Sequence, residues 1–135
     1  MNVSQKYSQN EINSLEQSEL ESRALIRTAA ALNNIKQNWE EKKGELDEAL
    51  NKNRRLWVIL SSAISEGDSP QPEEVKKNIL NLALFVFKRT IDVLSNPRPE
   101  GLDILITINM NIARGLGEHN APPPATATPE AEPPK

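Results

Sequence analysis

Between Ala24 and Leu116 the apolar residues of this chain recur at the spacing of an α-helix, and that recurrence limits what it can fold into. Only Ile106 to Met110 alternates apolar with polar residues, and a single such stretch has no second strand to pair with. An all-α fold follows. At 135 residues, with a proline-rich end that can bury little, the chain supports one domain.

Four helices can be placed along it. The first can be capped by Ser14 with Gln17, or by Ser18 with Glu21, and gathers Ala24, Leu25, Ala29, Leu32, Ile35 and Trp39 on one stripe. Gly44, after a charged run, marks a break or a weak spot. The second segment aligns Leu46, Ala49, Leu50, Leu56, Trp57, Leu60 and Ile64, and a turn over 66–70 ends it. Pro72 with Glu73 and Glu74 starts a third helix, running to about residue 95, whose apolar residues cover about 200° of its circumference. So apolar a helix is expected at the centre. A fourth runs from about Pro99 to Leu116 and ends at Gly115 and Gly117. Short connectors imply a small antiparallel bundle of about four helices spanning 14–117. Residues 1–13 are expected to form a loose polar arm, and 118–135 a disordered Pro/Ala-rich tail.

Charge and composition narrow the function. The 16 basic and 19 acidic residues are dispersed and sum to −3, which argues against a dedicated nucleic-acid binder. There is no cysteine, hence no disulfide framework and no thiolate metal site. A reducing, cytoplasmic location fits. The longest apolar runs, Leu56 to Leu60 and Leu82 to Phe87, fall far short of the roughly eighteen residues that cross a bilayer, and the polar start resembles no signal peptide.

Catalysis finds no foothold. The one histidine, His119, lies at the edge of the tail, and carboxylate pairs at helical spacing such as Glu41 with Glu45 read as solvated surface. No phosphate loop, zinc spacing or calcium loop is present, so neither enzyme chemistry nor a cofactor is expected.

Three features stand out instead. Asn53 and Asn109 occupy positions where the apolar stripes call for leucine, and an unpartnered buried amide costs about 1–3 kcal/mol. Each is therefore expected to be hydrogen-bonded, to the other or to a backbone group exposed at a helix end. They either fix helix register internally or contact a partner. Phe85 lies among Asn78, Asn81, Lys88, Arg89 and Asp92 on the polar side of the third helix, either covered from within the protein or left as an anchor. Lys52, Arg54 and Arg55 surround Trp57. They form a solvated or salt-bridged face, or else a stacking site for RNA.

Asn53-Arg54-Arg55-Leu56-Trp57, then Ile79 through Leu82 leading to Phe85-Val86, then Ile108-Asn109 with Ile112 and Gly115-Leu116, together resemble the FlaF family of flagellar proteins over about residues 20–117. That resemblance implies a role in alphaproteobacterial flagellum assembly. Family members are needed for flagellin synthesis and secretion, and act with and against the regulator FlbT. The implied partner is an amphipathic terminal helix of flagellin, and positions on the helical wheel, not the resemblance, offer Phe85, Trp57, Arg54, Arg55 and Asn109 as candidate contacts. A post-transcriptional effect on flagellin message, direct or through FlbT, is the alternative. The tail after Gly117 departs from the family pattern.

Overall fold

A computed structural model describes residues 3–66 and 71–120, with side chains from 16 to 66 and 71 to 117. Its helices are α1 (Val3–Gln37), the short α2 (Trp39–Lys42), α3 (Leu46–Ser65), α4 (Glu73–Ser95) and α5 (Asp103–Asn120), with 3-10 turns at Lys43–Glu45 and Pro99–Leu102. The four long helices pack antiparallel, as their short connectors require.

Several boundaries differ from the sequence expectation. The first helix begins at Val3 and not at Ser14 or Ser18. No proline or glycine precedes Gly44, so nothing in that polar stretch stops the ladder of i to i−4 hydrogen bonds from extending toward the N-terminus. At the other end α5 passes through Gly115 and Gly117 to Asn120. Glycine weakens a helix by about 1 kcal/mol without removing a hydrogen bond, and the first residue after Pro99 that must break the ladder is Pro122. The remainder of the 118–135 tail and the side chain of His119 lie outside the described residues.

The first two long helices are separate, and the break begins before Gly44. Asn38 leaves helical geometry at φ −122°, ψ 48°. Its side-chain Nδ2 donates to the Asn34 carbonyl at 3.0 Å and to Asn34 Oδ1 at 2.9 Å, while its own carbonyl accepts from the N–H groups of Glu41 and Lys42. This asparagine pair at i, i+4 competes with the helix for backbone partners.

The core is one cluster to which all four long helices contribute. α1 contributes Leu25, Ala29, Leu32 and Ile35; α3 contributes Leu46, Leu50, Trp57, Leu60 and Ile64; α5 contributes Leu105, Ile108, Ala113 and Leu116. α1 and α5 form the most extensive pair. Ser22 Oγ donates to the Ala113 carbonyl at 2.8 Å, and Lys36 Nζ meets Asp103 Oδ1 at 2.7 Å at the opposite end.

α4 is not central. It packs chiefly along α3 through the stripe Ile79, Ala83, Val86, Thr90 and Val93, and meets α5 and the Pro99–Leu102 turn far less. Thr90 satisfies its buried hydroxyl on its own helix, donating to the Val86 carbonyl at 2.7 Å. The turn is held against α4 by Arg98, which reaches Asp92 at 2.6 Å, and by Arg89, which donates to the Gly101 carbonyl at 3.4 Å. Gly101 is required there: a Cβ at this position would stand 2.9 Å from Val93 Cγ2.

Candidate functional site

The two asparagines meet. Asn109 Nδ2 donates to Asn53 Oδ1 at 2.8 Å and to the Leu25 carbonyl at 3.4 Å, while Asn109 Oδ1 accepts the indole N–H of Trp57 at 2.8 Å. Asn109 thus joins α1, α3 and α5 in one buried node. Its backbone acceptor lies in the middle of α1 and not at a helix end. Within the node, Asn53 Nδ2 has no partner among the described residues.

This node corrects two of the expected partner contacts. Trp57 and Asn109 are both 0% exposed, so neither offers a surface to another molecule. Trp57 is at once the largest fully buried side chain and a hydrogen-bond donor, which explains why an asparagine faces it: an indole N–H buried without an acceptor would be costly.

Arg54 and Arg55 are exposed and form no ion pair among the described residues, whereas the neighbouring Lys52 meets Glu48 at 3.8 Å. Phe85 is 39% exposed, and the Arg89 guanidinium lies 5.5 Å from its ring centroid. It occupies the flank of α4 that faces the Pro99–Leu102 turn, among polar residues.

Exposed apolar side chains such as Leu20 of α1 and Ile59 of α3 occur elsewhere, but a continuous row of them lies on the other flank of α4. Leu80, Leu84, Phe87, Ile91 and Leu94 follow one another at spacings of four and three, so they form a continuous ridge about 21 Å long. Leu84 is 60% exposed and Ile91 65%, while Leu80, Phe87 and Leu94 are half-buried against the core. The ridge is the buried stripe of α4 shifted by one residue, and therefore turned by about 100°.

Across from the ridge, α3 presents small side chains. Ser61, Ser62, Ser65 and Glu66 of the α3 end, with Leu80, Asn81, Ala83, Leu84 and Phe87 of α4, line a groove of about 530 Å³. Ser61 Oγ donates to the Val58 carbonyl at 3.2 Å, and Ser65 Oγ to the Ser61 carbonyl at 2.8 Å. With those two hydroxyls turned onto their own helix, the α3 wall is short, and its charged member is Glu66 at the C-terminal end. Arg54 and Arg55 precede Ser61 and Ser62 by one heptad and so share their face, as Val58 shares that of Ser65. A second concavity between α1 and α3, of about 270 Å³, mixes Arg27 and Lys52 with Glu45 and Glu48 and has no such ridge.

Sequence reading found the apolar excess of α4 but not its edge. The usable signal was the pair of adjacent stripes at four-three spacing, Ile79 to Val93 and Leu80 to Leu94. A helix needs one such stripe to join a bundle and has a second to spare.

Among the described residues no three His, Cys, Asp or Glu side chains are grouped to hold a metal ion, and no helix is long and apolar enough to cross a membrane. The fold and site define a small α-helical bundle with a closed polar node inside and an apolar ridge along α4 left uncovered among the described residues. The chain belongs to the FlaF family of flagellar proteins, whose profile matches residues 3–116. No curated protein and no solved structure is significantly similar to it.

Proposed function

We propose that the α3–α4 groove receives an amphipathic helix of flagellin, and that the protein serves flagellin synthesis and secretion as an export chaperone and regulator. Family membership supports a role in flagellum assembly. The observation that carries the finer reading is the ridge, where Leu84 and Ile91 stand 60% and 65% exposed beside a wall of serines. A helix whose apolar stripe would otherwise self-associate is masked when it lies in such a groove, with its anchors at i, i+3, i+4 and i+7.

Titrating purified flagellin into the full chain tests this by calorimetry. Leu84→Asp and Ile91→Asp are each expected to weaken binding by at least about tenfold with the fold intact. Undiminished binding by both variants would remove the groove from the mechanism.

Arg54 and Arg55, exposed and without an ion pair among the described residues, favour one second reading, a post-transcriptional effect on flagellin message, either direct or through FlbT. Direct phosphate contact would make affinity fall steeply with salt, whereas a groove binder responds weakly. A route through FlbT would appear as a stable complex of the two proteins without RNA.

A further inference from the structure

Four cations border the ridge, against one acid, Glu66, that lines the groove at the C-terminal end of α3. Arg54 and Arg55 border the ridge on α3. On α4, Lys77 lines an adjoining concavity together with Glu73 and Lys76, and Lys88 lies one heptad beyond the groove-lining Asn81. All four are exposed, and none makes an ion pair among the described residues. Most lysines and arginines elsewhere are held by an acid, as Arg23 is by Glu19 and Lys76 by Glu73. Cations left free on a surface with more acids than bases are available to something outside the molecule.

Resting on the reading of the groove as a helix-binding site, we infer that its occupant is an amphipathic helix of about four turns whose apolar stripe is bordered by carboxylates. The 21 Å ridge sets the approximate length and its half-exposed leucines and isoleucine require an apolar stripe. The rim sets the sign of the flanking charges. A second copy of this chain is the wrong occupant, because pairing two such faces brings Arg54, Arg55, Lys77 and Lys88 against like charges. RNA would use the cations but gain little from Leu84 and Ile91, since aliphatic side chains give bases no stacking platform.

Two labelled synthetic peptides of about 18 residues test the sign, sharing one leucine stripe and bordered by glutamate in one and lysine in the other. Fluorescence anisotropy with the full-length chain is expected to show the glutamate peptide binding about tenfold more tightly at about 50 mM salt, with the gap narrowing at about 500 mM. The triple variant R54E/R55E/K88E should reverse the preference, and Leu84→Asp should weaken both peptides. All these substitutions lie on exposed positions, so the fold is not at risk.

Equal affinity for the two peptides, or a preference untouched by the triple variant, would overturn the inference. So would an RNA oligonucleotide that binds more tightly than the glutamate peptide and displaces it, or a dimer in light scattering that Leu84→Asp dissolves. The flagellin titration separates the two ideas. If the glutamate peptide is preferred but flagellin does not bind, the flagellin reading fails alone. If flagellin binds and the triple variant leaves that affinity unchanged, the charge rule fails alone.

Discussion

The centre of the bundle and its α4 edge use apolar residues in opposite ways. At the centre, Trp57 of α3 is enclosed by α1 and α5 and its one polar atom is satisfied by Asn109, so the side chain has no remaining surface or hydrogen-bonding capacity. At the edge, the four-three stripe from Ile79 to Val93 is buried, while the adjoining stripe from Leu80 to Leu94 is half open. Both regions read as equally apolar along the chain. Burial depends on what packs over a helix, and only a node with its own polar rule, such as indole to amide to amide, declares itself internal.

The contrast breaks first at Trp57. Truncation to alanine should cost about 3–5 kcal/mol and leave Asn109 Oδ1 without its donor, enough to unfold much of a domain of ordinary stability. Urea denaturation followed by circular dichroism measures it. A loss below about 1 kcal/mol would mean that the centre is as open as the edge.

Within the node the two asparagines are unequal. Asn109→Leu strands the Trp57 N–H and Asn53 Oδ1 together, for an expected loss of about 2–4 kcal/mol. Asn53→Leu removes one hydrogen bond but also the unpartnered Nδ2, and Asn109 Nδ2 keeps the Leu25 carbonyl, so stability should stay within about 1 kcal/mol of the parent. Equal losses would show that the network is not centred on Asn109.

How far the chain disclosed this arrangement depends on the kind of information each residue carries. The stripes of α3 and α5 made Asn53 and Asn109 conspicuous, because an amide among leucines needs a partner whatever the fold. That Trp57 would supply one was hidden, since the indole N–H is a single atom on a side chain whose periodicity announces only burial. The position of α4 was hidden for a different reason: its apolar circumference states how much could be covered, not how much is. Phe85 drew attention as an aromatic among polar residues, yet it sits under Arg89 on the opposite flank from the ridge. The break after α1 was readable at Gly44, but the asparagine pair that starts it, Asn34 and Asn38, was not singled out.

The junction between the two regions should give an intermediate effect. Gly101→Ala places a Cβ 2.9 Å from Val93 Cγ2 at the turn that pins α4, for an expected loss of about 1–3 kcal/mol. Leu84→Asp, farther out on the edge, should change the urea midpoint by less than about 0.5 kcal/mol equivalent, although it weakens helix binding. A large destabilisation by Leu84→Asp would place the ridge in the core and close the groove.

The smallest effect is in pH dependence, and it has opposite signs on the two sides. Burial pushes the Glu21 carboxyl of α1 above its ordinary value of 4.5, against a weaker pull from the Gln17 amide. The folded protein therefore holds this proton longer than the unfolded chain, so the contribution is fully present below about pH 4.5 and fades as pH rises through the folded value. On α4, the hydrogen bond from Arg98, aided by the charges of Arg98 and Arg89, holds the Asp92 carboxyl below its ordinary value of 3.8 despite some desolvation. Its contribution is present above that value and fades as pH falls through the lower folded one. Urea midpoints measured between about pH 3 and pH 7 should show Glu21→Gln flattening the decline toward neutral pH and Asp92→Asn flattening the loss in acid. If Glu21→Gln keeps the parent's slope, α1 is as solvated at Glu21 as α4 is at Asp92, and on this measure the closed side does not differ from the open edge.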